Sequence, residues 1–169
     1  MANTGRSGCP INLALEQLGD RWSLIVIRDL MFGNRRTFGE LHAQSEEGIA
    51  SNILSDRLKR LTAAGLITRR PDPHHRQKGV FSLTEPAIQL VPILTQMAAW
   101  GRRHTPASHE LSVRAELLED GGPPLWAAFM DELRHLHLDA PPPRRSVSAE
   151  LAAAYERALV EEASKQNNG

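Results

Sequence analysis

The sequence predicts a mainly α protein with a small β-hairpin wing: a winged helix-turn-helix followed by a C-terminal helical extension. Three observations carry that prediction. Helix start and stop signals recur at short intervals up to Gly65, and the last helix they bound carries a leucine stripe. Two short strand-like runs then flank a segment with prolines, a glycine and basic side chains. Beyond Thr105-Pro106 the chain turns acidic and helical.

Taken in order, Cys9-Pro10 opens a first helix in which Ile11, Leu15 and Leu18 recur at i, i+4 and i+7, and Gly19 ends it. Asp20 is placed to cap a second helix from Trp22, with Gly33 as its stop. Its Leu24, Ile25, Val26, Ile27, Leu30 and Met31 are apolar nearly all round, as suits the middle of a core. Thr37-Phe38-Gly39-Glu40 has the spacing of a capping box and starts a short third helix over roughly 38 to 44. A fourth, from about Ser51 to Ala64, lines up Leu54, Leu58 and Leu61, with Gly65 at its end. Leu66 to Arg70 and Val80 to Leu83 form the hairpin, and Pro71 to Gly79 its basic, mobile tip. Thr84 is expected to cap a long helix to about His104, bent at Pro92, with Leu90, Leu94 and Met97 on one line. Three more helices follow: Glu110 to Glu119, Leu125 to Leu138 and Ser148 to Ser164. Gly121-Gly122-Pro123-Pro124 and Pro141-Pro142-Pro143 separate them. Trp126, Phe129, Met130, Leu133 and Leu136 form one apolar face there, and Leu151, Tyr155 and Leu159 another. The expected domains are therefore 9 to 104, the winged helix, and 106 to 169, an acidic helical extension.

Composition narrows the class. At 169 residues, 41% hydrophobic and 24% charged, the chain has enough apolar side chains for a core and lacks the run of ~18 that a membrane span needs. No signal peptide is read in Met1 to Gly8, a single cysteine excludes an intrachain disulfide, and the expected compartment is a reducing cytoplasm. The zero net charge hides a split. Residues 1 to 105 hold 14 Lys+Arg against 9 Asp+Glu, giving +5, and 106 to 169 hold 6 against 11, giving -5. Seven of the basic groups (Arg57, Lys59, Arg60, Arg69, Arg70, Arg76, Lys78) fall between 50 and 79, against Asp56 and Asp72, so a polyanion would meet a local positive field.

The chemistry of that region suits duplex DNA. With the leucine stripe facing the core, a turn of ~100° per residue puts Asn52, Asp56 and Lys59 opposite it, Ser51 and Ser55 on one shoulder and Arg57 on the other. Asn pairs bidentately with adenine, Ser bonds any base, and Lys reaches guanine or phosphate. Arg35, Arg36, Arg69, Arg70, Arg76 and Lys78 are placed to neutralise flanking phosphates, and Asp56 is expected to pair with Arg60 at i+4. His74 and His75 beside Arg76 add conditional charge, though an inert exposed pair is the simpler account of them. No catalytic residue, metal site or cofactor is expected. The other five histidines are scattered, His135 and His137 point to different faces of a helix, and no phosphate loop or nucleophile elbow occurs.

The quoted residues also form a longer pattern: Cys9-Pro10, Gly19-Asp20-Arg21-Trp22-Ser23-Leu24, Arg36-Thr37-Phe38-Gly39-Glu40-Leu41, Gly48 through Leu61, Ala64-Gly65-Leu66-Ile67, Leu83-Thr84-Glu85 and Trp100-Gly101. In order and spacing they closely resemble the HxlR family of bacterial transcriptional regulators, over about 9 to 104. The resemblance implies a MarR-like winged-helix homodimer on an inverted-repeat DNA operator. The 51 to 64 helix would lie in the major groove, the wing at the neighbouring minor groove, and helices at both ends of the domain would form the dimer interface. In several relatives the cysteine aligned with Cys9 senses oxidants or electrophiles. Two departures stand out: the wing segment Pro71 to Gly79 lacks the family's Tyr- and Pro-rich character, and Pro86-Ala87 stands where a glycine is frequent.

Two readings of Cys9 stay open. A thiolate just before a helix N-terminus is favoured by free amides, which makes it reactive; a thiol buried in a dimer seam is inert. Two functions stay open as well: a sequence-specific DNA-binding regulator, and a winged-helix protein-interaction module without specific DNA binding. Salt separates them, since DNA affinity falls with log salt by about 0.9 per phosphate neutralised. No small-molecule effector is assigned, and no membrane partner is expected.

Overall fold

A computed structural model describes residues 7–72 and 78–167. Within them the chain forms two compact units, one up to Thr84 and one from Glu85.

The first unit holds α1 (Pro10–Leu18), α2 (Arg21–Phe32), α3 (Phe38–Ala43), α4 (Ser51–Ala63), β1 (Ile67–Pro71) and β2 (Gly79–Leu83). The anticipated caps are present. Asp20 accepts from the Ser23 amide at 3.0 Å, and Thr37 and Glu40 make the reciprocal pair of a capping box. Helix α2 is central: Val26, Ile27, Leu30 and Met31 are buried, and the α4 stripe of Leu54, Leu58 and Leu61 is buried in the same core. The two strands pair antiparallel, from Ile67 opposite Leu83 to Pro71 opposite Gly79, with Ile67, Phe81 and Leu83 turned inward. Phe81 also donates its amide to Arg36 O at 2.7 Å and Thr37 bridges to Val80, so the segment before α3 lies along the free edge of β2. That extra edge bond fixes the wing to the helix-turn-helix.

The second unit holds α5 (Glu85–Ile88), α6 (Val91–His104), α7 (His109–Leu138) and α8 (Val147–Asn167). The single helix expected from Thr84 to His104 is therefore two. Pro92 stands in the first turn of α6, where its missing amide costs nothing, so it starts a helix instead of bending one. Thr84 is not a cap either: its hydroxyl donates to Gly65 O at 2.7 Å and Leu66 O at 3.0 Å. Helix α7 contains the break expected at the glycine-proline run, with Gly122 at φ 56°, ψ -158°, a conformation open only to glycine. Across that kink Trp126 Nε1 donates to Leu118 O at 2.7 Å.

Charged side chains bind these helices together. Arg134 forks onto Glu85 at 2.7 and 2.9 Å, Arg102 and Arg103 reach Glu119, and the Arg114 guanidinium lies 4.0 Å from the Tyr155 ring centroid. Buried Glu132 accepts from Ser146 Oγ at 2.9 Å and from the Ser148 amide at 3.0 Å, holding the start of α8. The inward stripe of α8 is Val147, Leu151, Ala154 and Ala158. Leu159, expected on that stripe, is 42% exposed, because the small alanines let α8 approach closely and turn Leu159 outward. The division at Thr84 groups α5 and α6 with the acidic helices, whereas composition changes only after Thr105. Among the described residues no helix is long and apolar enough to cross a membrane.

Candidate nucleic-acid interface

Helix α4 presents the face its stripe predicts. Ser51 and Asn52 are exposed in its first turn, Ser55 is half-buried one turn on, and Lys59 is exposed a further turn on. Asp56 pairs with Arg60 at 2.9 Å, as the i+4 spacing requires, which neutralises the one carboxylate on this face. The helix N-cap is Ala50, and no side chain caps it.

A cleft separates α3 and α4 from the wing. Phe38 and Gly39 line one side, Ser55, Lys59, Thr62 and Ala63 the floor, and Arg69, Lys78 and Gly79 the other side. Lys59, Arg69 and Lys78 have no ion-pair partner among the described residues, so three cations stand open around it. The Arg69 side chain crosses Gly79 so closely that a Cβ there would collide with Nε and the guanidinium carbon. Phe38 is 38% exposed and stacks on His42 with ring centroids 6.0 Å apart. Neither Phe38 nor the Arg69–Gly79 crossing was anticipated. The crossing joins diagonal positions of two strands, and the register that aligns them is not apparent from either strand alone.

Three arginines read as DNA contacts are held inside the fold. Arg35 pairs with Asp29 at 3.1 Å. Arg36 donates through Nε to Phe81 O at 3.1 Å and through its terminal nitrogen to Ser82 Oγ. Arg57, 17% exposed, reaches Asp20 at 3.1 Å and Asp56 at 3.6 Å. Guanidinium groups so engaged and half-buried tie one element to another, and moving one to a phosphate would break that tie. Arg76, with His74 and His75, lies outside the described residues.

Cys9 stands at the N-cap of α1 and is exposed. The backbone amides of Asn12 and then Ile11 hold its thiol below the ordinary value, with slight desolvation opposing. The exposure disagrees with a buried packing thiol within one chain. Among the described residues no cluster of His, Cys, Asp or Glu fits a metal ion.

Buried leucine stripe, capped preceding helix, hairpin wing and polar outer face together define a winged helix-turn-helix of the nucleic-acid-binding class. The chain belongs to the HxlR-like helix-turn-helix family, whose sequence pattern matches residues 17–109, more than half of it. The uncharacterized helix-turn-helix-type transcriptional regulator Mb3122 of Mycobacterium bovis is 34% identical over 99 residues, covering 59% of this chain and 61% of that protein. The chain thus spans less than two thirds of that relative. A regulator of the same description from Halalkalibacterium halodurans, BH0655, is 35% identical over 92 residues, covering 54% of this chain and 80% of its own length. The crystal structure of PA1607, a candidate transcription factor, superposes with a TM-score of 0.55 at 30% identity, covering 62% of this chain and 70% of that one. These relatives are regulators, and the family is not an enzyme family.

Proposed function

We propose that this chain is a cytoplasmic transcriptional regulator that binds an inverted-repeat DNA operator as a homodimer. The observation that carries the reading is the outer face of α4, where Ser51, Asn52 and Lys59 are exposed and Ser55 half-buried beside the exposed Lys78 of the wing. Asn52 and Ser55 are the base readers, and Lys59, Lys78 and Arg69 the phosphate contacts. Arg35, Arg36 and Arg57 act behind them by holding the reading helix and the wing in place. Residues 9 to 104 are the regulator proper, and 106 to 169 an acidic helical extension.

Dimerisation is supported by two apolar faces left uncovered. On α6, Ile93, Met97 and Trp100 are 50%, 49% and 59% exposed, and on α1 Ile11 and Leu15 are 72% and 59% exposed. Large side chains at helical spacing and so open to water call for a second copy. Cys9, exposed and held toward its thiolate, is the residue through which an oxidant or electrophile would act.

The test is selection from a duplex library with a randomised centre. Wild type enriches a twofold-symmetric site, and Asn52→Ala or Ser55→Ala relaxes particular positions, each good base contact being worth ~1–3 kcal/mol. Unchanged preference in both variants refutes the reading. Enrichment of no sequence, with no salt dependence, leaves the protein-interaction module in its place.

A further inference from the structure

Helices α2 and α3 begin with side-chain caps, on Asp20 and on Thr37, but α4 begins at Ala50 with none. No side-chain cap fixes the first turn of the reading helix, so its entry depends on what holds the turn before it. That turn is clamped to α2. Arg28 Nη1 donates to Glu47 Oε1 at 2.5 Å and Nη2 to Oε2 at 2.8 Å, a bidentate fork. The same guanidinium donates through Nε and Nη2 to Asp29 Oδ1 at 2.9 and 2.7 Å. Asp29, only 5% exposed, also takes Arg35, whose other terminal nitrogen lies 3.8 Å from Glu46. Two consecutive acids of the turn are thus tied to one buried carboxylate through two arginines. Gly48 follows at φ +66°, Ser45 Oγ accepts the Ile49 amide at 3.1 Å, and Ile49 is buried. From Ile49, two residues lead to Ser51 and three to Asn52.

We propose that the Arg28–Glu47 pair is a positioning element for base recognition: it fixes the entry of α4, and so the aim of Ser51 and Asn52, without touching DNA. The inference rests on the reading of α4 given above. The planar fork admits one relative orientation of its partners, so it transmits the direction of α2 to the turn, which a single contact would not. Non-specific binding, which comes from the cations of the cleft, does not depend on that aim. Loss of the fork thus separates selectivity from affinity for DNA at large.

The experiment compares wild type, Glu47→Gln, Arg28→Lys and Arg134→Gln on one duplex library randomised over about 20 base pairs, with thermal melts of each. Wild type enriches a site. Glu47→Gln keeps its affinity for the unselected library within about twofold but loses about tenfold in preference for that site, the size of one poorly placed base contact. Arg28→Lys, which keeps the charge and loses the fork, falls between them. Arg134→Gln breaks the comparable fork to Glu85 in the second unit, lowers the melting temperature and leaves preference at the wild-type level. If Glu47→Gln fails to fold, Arg28→Lys carries the comparison. Folded variants at 28 and 47 that select as sharply as wild type overturn the proposal, as does an equal loss in Arg134→Gln. A wild type that enriches nothing overturns the DNA-reading function itself, and with it this one.

Discussion

Asp20 does two jobs that a pair of substitutions separates. Its carboxylate caps α2, accepting from the Ser23 amide at 3.0 Å and hydroxyl at 2.5 Å, and it takes Arg57 of α4 at 3.1 Å. Asp20→Ala removes both. The cap is worth ~1 kcal/mol and the ion pair, with Asp20 36% exposed and screened by water, about 0.5 kcal/mol. For a chain of this size ~1.5 kcal/mol lowers the melting temperature by roughly 3–6 °C. Asp20→Asn keeps an acceptor at the cap and loses only the charge, so it should cost about a third as much. The acid limb supplies an independent check. Burial pushes the Asp20 carboxyl up, but the Ser23 bonds and then Arg57 more than reverse it, leaving it below its ordinary 3.8. A depressed folded pKa gives stability that is complete above the unfolded value and lost as pH falls through the folded one. Urea midpoints of wild type and Asp20→Asn should therefore draw together as pH falls below 3.8. An Asp20→Asn loss equal to that of Asp20→Ala, or a gap that widens in acid, would show the capping account to be wrong.

Lys59→Ala with Lys78→Ala should weaken binding to all duplexes alike and flatten the log-salt slope by up to ~2, measured by fluorescence anisotropy across salt; an unchanged slope removes both from the DNA backbone. Trp100→Glu should convert a micromolar dimer to a monomer in sedimentation, because it places a charge in an apolar seam; a dimer of wild-type strength moves the interface off α6. Cys9 should alkylate with a midpoint below the ~8.5 of an ordinary thiol, and oxidant should lower DNA affinity in wild type but not in Cys9→Ser; a midpoint at or above that value ends the sensor role.

What was legible in the sequence was what is local. Asp20 three residues before Ser23, Thr37 three before Glu40, and leucines at 54, 58 and 61 each encode an element within one or two turns, and all three stand as read. The polar face of α4 followed from the same periodicity. The arginines did not, because Arg36 finds Ser82 across 46 residues and Arg57 finds Asp20 across 37, and no local spacing separates a tie of that kind from a cation left open to a phosphate. Helix α8 hid its inward stripe for a different reason: alanine is too small to mark a face until another helix is seen against it.

Gly79 has a consequence for how variation in this protein is read. The atoms a new side chain would strike belong to the end of a long flexible arginine, so Gly79→Ala can be absorbed by swinging Arg69 aside, with little loss of fold. Arg69 would then leave the wall of the cleft. A survey of variants scored by cellular abundance would pass such a change as silent, and one scored by transcription would not. Disagreement between those two scores at a single position is a signature of function that does not need the operator to be known.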